Sequence, residues 1–268
     1  MSAKQANALD RNPNQLNLVE VNQYQRRIKA NIHRVWENVL DWEHLPSLHD
    51  SSFDYVSLDQ GGEWGWRTWS NPEQSASVEL TVNREASEYV ARSYQGNDQV
   101  SEIWTKLTPV GDETDIEVSF ELPDIEEAQV SKLGQLFLNL YTQLWDEDEK
   151  MMVERERQLQ RKYADAAPKT LTLDKPLKLP LTVEMGRGSW TIRELDAELI
   201  VHSAICPHLL GPLDRDAKIE GKLVTCPWHG YVFDLNTGQC LTTDAQCGTL
   251  KTPPLLRETD TQIFLTLD

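Results

Sequence analysis

Two short segments in the last third of the chain carry side chains whose types and spacing can do chemistry. Cys206-Pro207-His208 is followed, after 17 residues, by Cys226-Pro227-Trp228-His229. Each segment offers one thiol and one imidazole. A [2Fe–2S] cluster held by two Cys on one iron and two His on the other needs that mixture, and neutral imidazoles raise its potential above that of an all-cysteine cluster. A structural zinc site with two Cys and two His is the alternative, although zinc modules more often pair Cys with Cys and His with His. A second constellation, Glu37-Asn38-x-x-Asp41-x-x-His44-x4-His49, lies near the other end. Two histidines plus one carboxylate form the facial triad of non-haem Fe(II) sites, with open positions for O2 and substrate. His44 and His49 are five apart across Pro46, so helical spacing alone does not align them, whereas a turn at Leu45-Pro46 can.

A triad needs its carboxylate. The acidic run Asp146-Glu147-Asp148-Glu149 sits in a stretch of helical period, where Leu133, Phe137, Leu140, Leu144 and Met151 form one stripe. At about 100° per residue, Asp148 falls about 40° from Leu144 and Glu149 about 140° away. A carboxylate on an apolar face is costly without a partner, and a metal would supply one. Asp148 is therefore the expected ligand, with Glu149 as the alternative. The bland reading is a solvated acidic run.

The elements that must position these groups read as follows. Residues 1–16 form a polar tail expected to be flexible, and Leu18–Ile28 an extended segment. Ile32, Val35, Trp36, Val39 and Leu40 have helical spacing that Pro46 should end. Six strand-like runs follow, Phe53–Leu58, Glu63–Trp69, Ser77–Val82, Glu88–Tyr94, Val100–Leu107 and Asp115–Leu122, punctuated by Gly-Gly, Asn-Pro, Gly-Asn and Gly-Asp turns. From Asp124 to Tyr163 the period is helical. This order resembles the helix-grip (START, Bet v 1-like) layout, an antiparallel sheet curled around a long C-terminal helix. The expected fold class is thus an α+β helix-grip domain, residues 17–163, followed by a linker, 164–169, and an all-β domain of short strands, 170–268. Trp64, Trp66, Trp69 and Trp104 on the strands suit core packing, or a pocket for an aromatic or cationic substrate.

With 268 residues the chain suits two domains. No apolar run approaches the roughly 18 residues of a membrane span, and the N-terminal residues lack the apolar core of a signal peptide. Four cysteines make no disulfide scaffold, and Cys240 and Cys247 read as reduced thiols. A soluble cytoplasmic protein is expected. The net charge of −17 has no Lys/Arg-rich block to offset it, which disfavours nucleic acid. It suits solubility or the docking of a basic partner. His33 reads as a helix-start surface residue and His202 as a strand residue.

The alternating Cys-x-His and Cys-x-x-His order, both prolines after cysteine and the run Gly230-Tyr231-Val232-Phe233-Asp234 resemble Rieske proteins. Respiratory Rieske proteins carry extra cysteines where this chain has Gly211 and Trp228, and tend to have serine where it has Tyr231. The resemblance is to the oxygenase or ferredoxin subtype, with fewer hydrogen bonds to sulfur and a lower potential. The run Asn38-x-x-Asp41-x-x-His44-x4-His49 is similar to that of Rieske non-haem iron oxygenases, whose Rieske domain usually comes first; here the order is reversed. Helix-grip domains without metal also show an Asp-x-x-x-Leu-Pro-x-Leu-His-like stretch at this place.

The resemblance implies a [2Fe–2S] cluster on Cys206, His208, Cys226 and His229, and mononuclear Fe(II) on His44, His49 and a carboxylate of the last helix. Counting back from Glu154 in that family's acidic run selects Glu149, against Asp148 by helix phase. Asp41 would bridge cluster and iron for electrons or protons, and Asn38 would lie near the iron. The implied activity is O2-dependent hydroxylation or dealkylation of a small organic substrate. An NAD(P)H-dependent reductase or ferredoxin would feed it, since no nicotinamide or flavin motif is present. The implied assembly is a homotrimeric ring. The contrasting expectation is a non-catalytic ligand-binding protein with a Rieske electron-transfer or redox-sensing domain.

Overall fold

The computed structural model describes residues 10–161, 167–214, 217–243 and 247–267. The chain divides into two compact units, Met1–Val153 and Glu154–Asp268.

The first unit is built on one seven-stranded antiparallel sheet of order β1-β7-β6-β5-β4-β3-β2. Its strands are β1 Leu18–Ile28, β2 Ser57–Gly62, β3 Gly65–Trp69, β4 Ala76–Asn83, β5 Glu88–Gln95, β6 Asp98–Val110 and β7 Glu113–Pro123. Alternation sends every second residue of β7, from Thr114 through Ile116, Val118 and Phe120 to Leu122, into the interior. Helix α1, Ile32–Leu40, starts at Asn31, whose side chain accepts from the His33 and Arg34 amides, an N-cap that satisfies two otherwise orphaned donors. The long helix α3, Glu127–Leu159, packs Leu133, Phe137, Tyr141, Trp145 and Met152 against the sheet core. Its approach to β1 is so close at Gly134 that a Cβ there would lie 2.4 Å from the Val21 carbonyl oxygen. Arg26 of β1 then clamps the far part of α3 through Asp146, at 2.6 Å, and Glu149. These contacts fix the rotation of α3, and with it the direction in which its carboxylates face.

Three local expectations are corrected. Helix α1 ends at Asp41, five residues before Pro46; the Asp41 amide turns back to the Asn38 carbonyl. Pro46 lies instead in the first turn of a separate short helix, α2, Leu45–Leu48, where its missing N–H costs nothing. Phe53–Val56 are not in a strand, because Phe53 and Val56 turn inward to line a cavity, and β2 begins at Ser57. Of the expected tail, residues 1–9 lie outside the described residues. Asp10–Leu16 are held down: the Asn12 amide donates to Glu102 Oε1 at 2.8 Å and the Asp10 carbonyl accepts from Arg92.

The second unit carries three three-stranded sheets. Its strands are β8 Thr170–Asp174, β9 Leu181–Met185, β10 Gly188–Leu195, β11 Glu198–Ser203, β12 Lys218–Glu220, β13 Leu223–Thr225, β14 Val232–Asp234, β15 Leu255–Glu258 and β16 Gln262–Thr266. The sheets β11-β10-β9 and β15-β16-β8 share a core of Met185, Trp190, Ile192, Val201, Ile263 and Leu265. The small sheet β12-β13-β14 carries the second Cys/His loop between β13 and β14. Residues 164–166 of the expected linker lie outside the described residues, and Pro168 and Lys169 accept backbone bonds from Gly186 and Leu267 of this unit. Among the described residues, no helix is long and apolar enough to cross a membrane. The architecture is an α+β helix-grip unit followed by an all-β Rieske-type unit.

Candidate metal centres

The two Cys/His loops share one backbone design. The Cys206 amide donates to the Gly211 carbonyl at 2.8 Å, and the Cys226 amide to the Tyr231 carbonyl at 2.9 Å. Each loop turns through a left-handed residue four positions after its cysteine, Leu210 and Gly230, both at φ +67°. Each closure spans five residues and encloses one His, His208 two and His229 three positions after its cysteine. Cys206 and Cys226 are 1% exposed, and the His208 and His229 rings lie 4.6 Å apart, edge to face. Tyr231 packs at 4.7 Å from His208. Gly211 is demanded by packing, since a Cβ there would lie 2.8 Å from Cys226 Sγ and 3.0 Å from the Trp228 ring.

Contact with Cys226, added to burial, pushes the Cys206 thiol up, while the hydrogen bond from Cys206 brings Cys226 down to about 5. Two buried sulfurs, one already close to thiolate, facing two imidazoles are a donor set that fits a [2Fe–2S] cluster. Cys240 bridges to Phe233, and burial together with Cys240 raises the Cys247 thiol to about 11. Both thiols are free. His202 on β11 is buried, with Nδ1 at 2.8 Å from its acceptor, the Ser203 carbonyl, and Nε2 accepting from Arg193 Nε at 3.0 Å. Burial lowers its pKa to about 4, against the opposing Ser203 bond, so it is a neutral strand residue.

In the first unit, one ligand atom from each of His44, His49 and Asp148 lies within 4.8 Å of the others. His44 is carried by the turn after α1, His49 closes α2, and Asp148 comes from α3. All three are buried, at 3%, 1% and 8% exposure. The two rings present equivalent faces. Nε2 of His44 and of His49 lie 3.5 and 3.1 Å from Asp148 Oδ1. Their Nδ1 atoms face outer carboxylates, Asp41 at 3.7 Å and Glu147 at 2.6 Å. The Glu147 carboxylate at hydrogen-bond distance from His49 Nδ1 fixes the tautomer that leaves His49 Nε2 free to ligate. Two nitrogens and one oxygen converging in this way fit a 2-His-1-carboxylate metal. Burial alone would lower the His49 pKa, but Asp148 and Glu147 together outweigh it and hold it above the ordinary histidine value.

The sequence-derived candidates separate cleanly. Asn38 Nδ2 donates to Asp148 Oδ1 at 2.9 Å, holding the carboxylate from the side away from solvent. Glu149, the alternative ligand, faces β1, where it accepts from the Lys29 amide at 2.9 Å and pairs with Arg26. Glu147 escaped the sequence reading. It belongs to the same acidic run, but only the folding of α2 against α3 shows that it meets His49. Trp66 lines the cavity beside this cluster and donates to the Val39 carbonyl at 2.9 Å. Trp104 instead donates to Glu102 under the stacked Arg11 guanidinium. His33 is exposed at the start of α1.

The profile of the Rieske [2Fe-2S] domain family matches residues 161–254. The chain is 35% identical over 72 residues to cholesterol 7-desaturase nvd of Xenopus laevis, a match covering 25% of this chain and 16% of that protein. It thus spans about a sixth of that curated relative. Among solved structures, a Sphingomonas yanoikuyae ferredoxin covers 33% of this chain and 85% of its own at 26% identity, with a TM-score of 0.29. A START superfamily protein from Mycobacterium smegmatis covers 51% and 97% at 16% identity, with a TM-score of 0.36. The second unit contains a Rieske [2Fe-2S] domain.

Proposed function

We propose that the protein is a Rieske-type non-haem iron oxygenase that hydroxylates or dealkylates a small organic molecule. The observation that supports this reading above all is the convergence of His44 Nε2, His49 Nε2 and Asp148 on one buried point of a cavity, in a chain that also carries a Rieske domain.

Cys206, His208, Cys226 and His229 hold the cluster, and His44, His49 and Asp148 hold Fe(II). When bound, the cluster supplies single electrons and the iron supplies activation of O2. Glu147 and Asp41 orient the two imidazoles, and Asn38 fixes the free rotation of the Asp148 carboxylate. Asp41, in contact with His44 and lining the cavity, is placed to pass a proton or relay an electron. The His208 edge is less buried than the two sulfurs, which makes the imidazole side the entry for a reductase or ferredoxin drawing on NAD(P)H.

The test is a metal count on protein purified without oxygen and supplied with Fe(II) and sulfide, with the reduced EPR spectrum recorded alongside. About three irons and about two sulfides per chain, with a rhombic cluster signal, is the expected result. The double variant His44→Ala/His49→Ala should drop to about two irons with the cluster signal unchanged. Two irons in the parent protein at excess Fe(II) would overturn the reading, leaving a ligand-binding unit tethered to an electron carrier.

A further inference from the structure

The sheet and α3 of the first unit enclose a cavity of about 380 Å³ that includes His44, His49 and Asp148. Its chemistry changes from rung to rung across β3–β6. The first rung holds Tyr89, whose hydroxyl feels the Asp148 charge, with Thr105 as its cross-strand partner. The next rung is apolar: Trp66, Leu80, Ala91 and Ile103 are successive cross-strand partners. The third rung, Thr68, Val78, Ser93 and Ser101, is linked in the same way and carries three hydroxyls. Alternate residues of a strand face one side, so Ser93 lies four residues, about 13 Å, along β5 from Tyr89.

Two observations say what this rung faces. Ser101 is 5% exposed and its Oγ has no hydrogen-bond partner among the described residues. A buried hydroxyl without a partner is costly and calls for one from outside the chain. Among the described residues, no lysine or arginine lines the cavity, and its only carboxylates, Asp41 and Asp148, both adjoin His44. An anionic ligand group at the hydroxyl rung would be buried without a counter-charge, and a cationic one would find no carboxylate there.

We propose that the cavity takes a neutral, largely apolar molecule bearing one hydroxyl or carbonyl oxygen, bound by Ser101 and its rung neighbours, two rungs along the strands from Tyr89, with its other end presented to His44, His49 and Asp148. The reacting end of this assignment rests on the oxygenase reading; the oxygen-binding end does not.

The full-length protein is titrated by 19F NMR with three probes of one shape: 4'-fluorobiphenyl-4-ol, 4-fluorobiphenyl and 4'-fluorobiphenyl-4-carboxylate. The phenol should bind about tenfold tighter than the hydrocarbon, and the carboxylate about a hundredfold weaker than the phenol. Ser101→Ala should bring the phenol down to the hydrocarbon's affinity and leave the hydrocarbon within about twofold. Ala91→Phe, filling the middle rung, should remove binding of all three, with an unchanged melting temperature certifying the fold. A carboxylate that binds as tightly as the phenol would overturn the assignment. So would a phenol preference that survives in Thr68→Val/Ser93→Ala/Ser101→Ala, since the rung would then hold only water. Repeating the titration on His44→Ala/His49→Ala separates the two readings. An unchanged ranking there, alongside a two-iron count in the parent protein at excess Fe(II), would sink the oxygenase and keep the ligand class.

Discussion

Glu147 offers the sharpest test of the proposed iron site, because it would touch the metal only through His49. Its Oε2 lies 2.6 Å from His49 Nδ1, and His49 is 1% exposed. The carboxylate does two things: it accepts the Nδ1 proton, which leaves Nε2 as the ligand, and its charge makes the imidazole more basic. Loss of such an outer partner weakens metal binding about 10–100-fold, or about 1.4–2.8 kcal/mol. Two variants divide that range. Glu147→Gln keeps an acceptor for Nδ1 and loses only the charge. The Glu147 side chain is 25% exposed, so solvent screens the charge and the loss belongs near about threefold to tenfold. Glu147→Leu removes acceptor and charge together, frees the ring to flip, and should approach about a hundredfold. The assay is Fe(II) or Co(II) titration against a competing chelator, with the cluster absorbance as an internal control. Glu149→Gln, which breaks a contact to Arg26 on β1, serves as the comparison and should change metal affinity less than Glu147→Leu. Equal affinities in Glu147→Leu and the parent protein would refute the outer-carboxylate argument.

Other expectations follow from single contacts. Gly211→Ala would place a methyl 2.8 Å from Cys226 Sγ; the cluster content measured by iron, sulfide and EPR should fall sharply, while the first unit keeps its Fe(II) site. Glu102 is fully buried and accepts from Arg92, Trp104, Gln99 and the Asn12 amide. Burial would raise its pKa, but these donors hold it below the ordinary carboxylate value. Its contribution is therefore present above pH about 4.5 and is lost as pH falls through the lowered folded value. Glu102→Gln should cost about 3 kcal/mol at pH 7, and urea melts should show the gap closing as pH falls below about 4.5. His202, lowered to about 4 in the folded protein, stays neutral while its unfolded counterpart protonates near about 6.5. The unfolded state then binds more protons, so the second unit should lose stability as pH falls from about 6.5 to about 4. His202→Gln should flatten that slope in calorimetric scans by about one proton.

The cluster loops were legible because their information is local. Four ligands at short spacings, with Gly230 at one turn and Gly211 where a side chain would meet Cys226, describe a closure whose hydrogen bonds span five residues. The sheet strands were legible for a related reason, clearest in β7, which alternates along its whole length because the core takes one of its two faces. Phe53–Val56 look equally strand-like and are not, because inward-facing apolar residues suit a cavity wall as well as a sheet.

The His44, His49 and Asp148 group stands at the other extreme. Helix period alone distinguished Asp148 from Glu149, since a rigid helix fixes the angle between neighbouring side chains. That periodicity could not say what Asp148 meets. The partners lie far apart in the chain: Asn38 is 110 residues from Asp148, and His49 is 98 from Glu147. Their meeting depends on α3 seating at Gly134 against β1 and being clamped by Arg26. The hydroxyl rung is more hidden still. Thr68, Ser93 and Ser101 are ordinary surface types in sequence, and only strand register lines them up inside a cavity. Spacing along the chain thus determined which groups could share a loop or a helix face, whereas the pairing of distant elements, set by burial and register, decided which of them face one another and what they enclose.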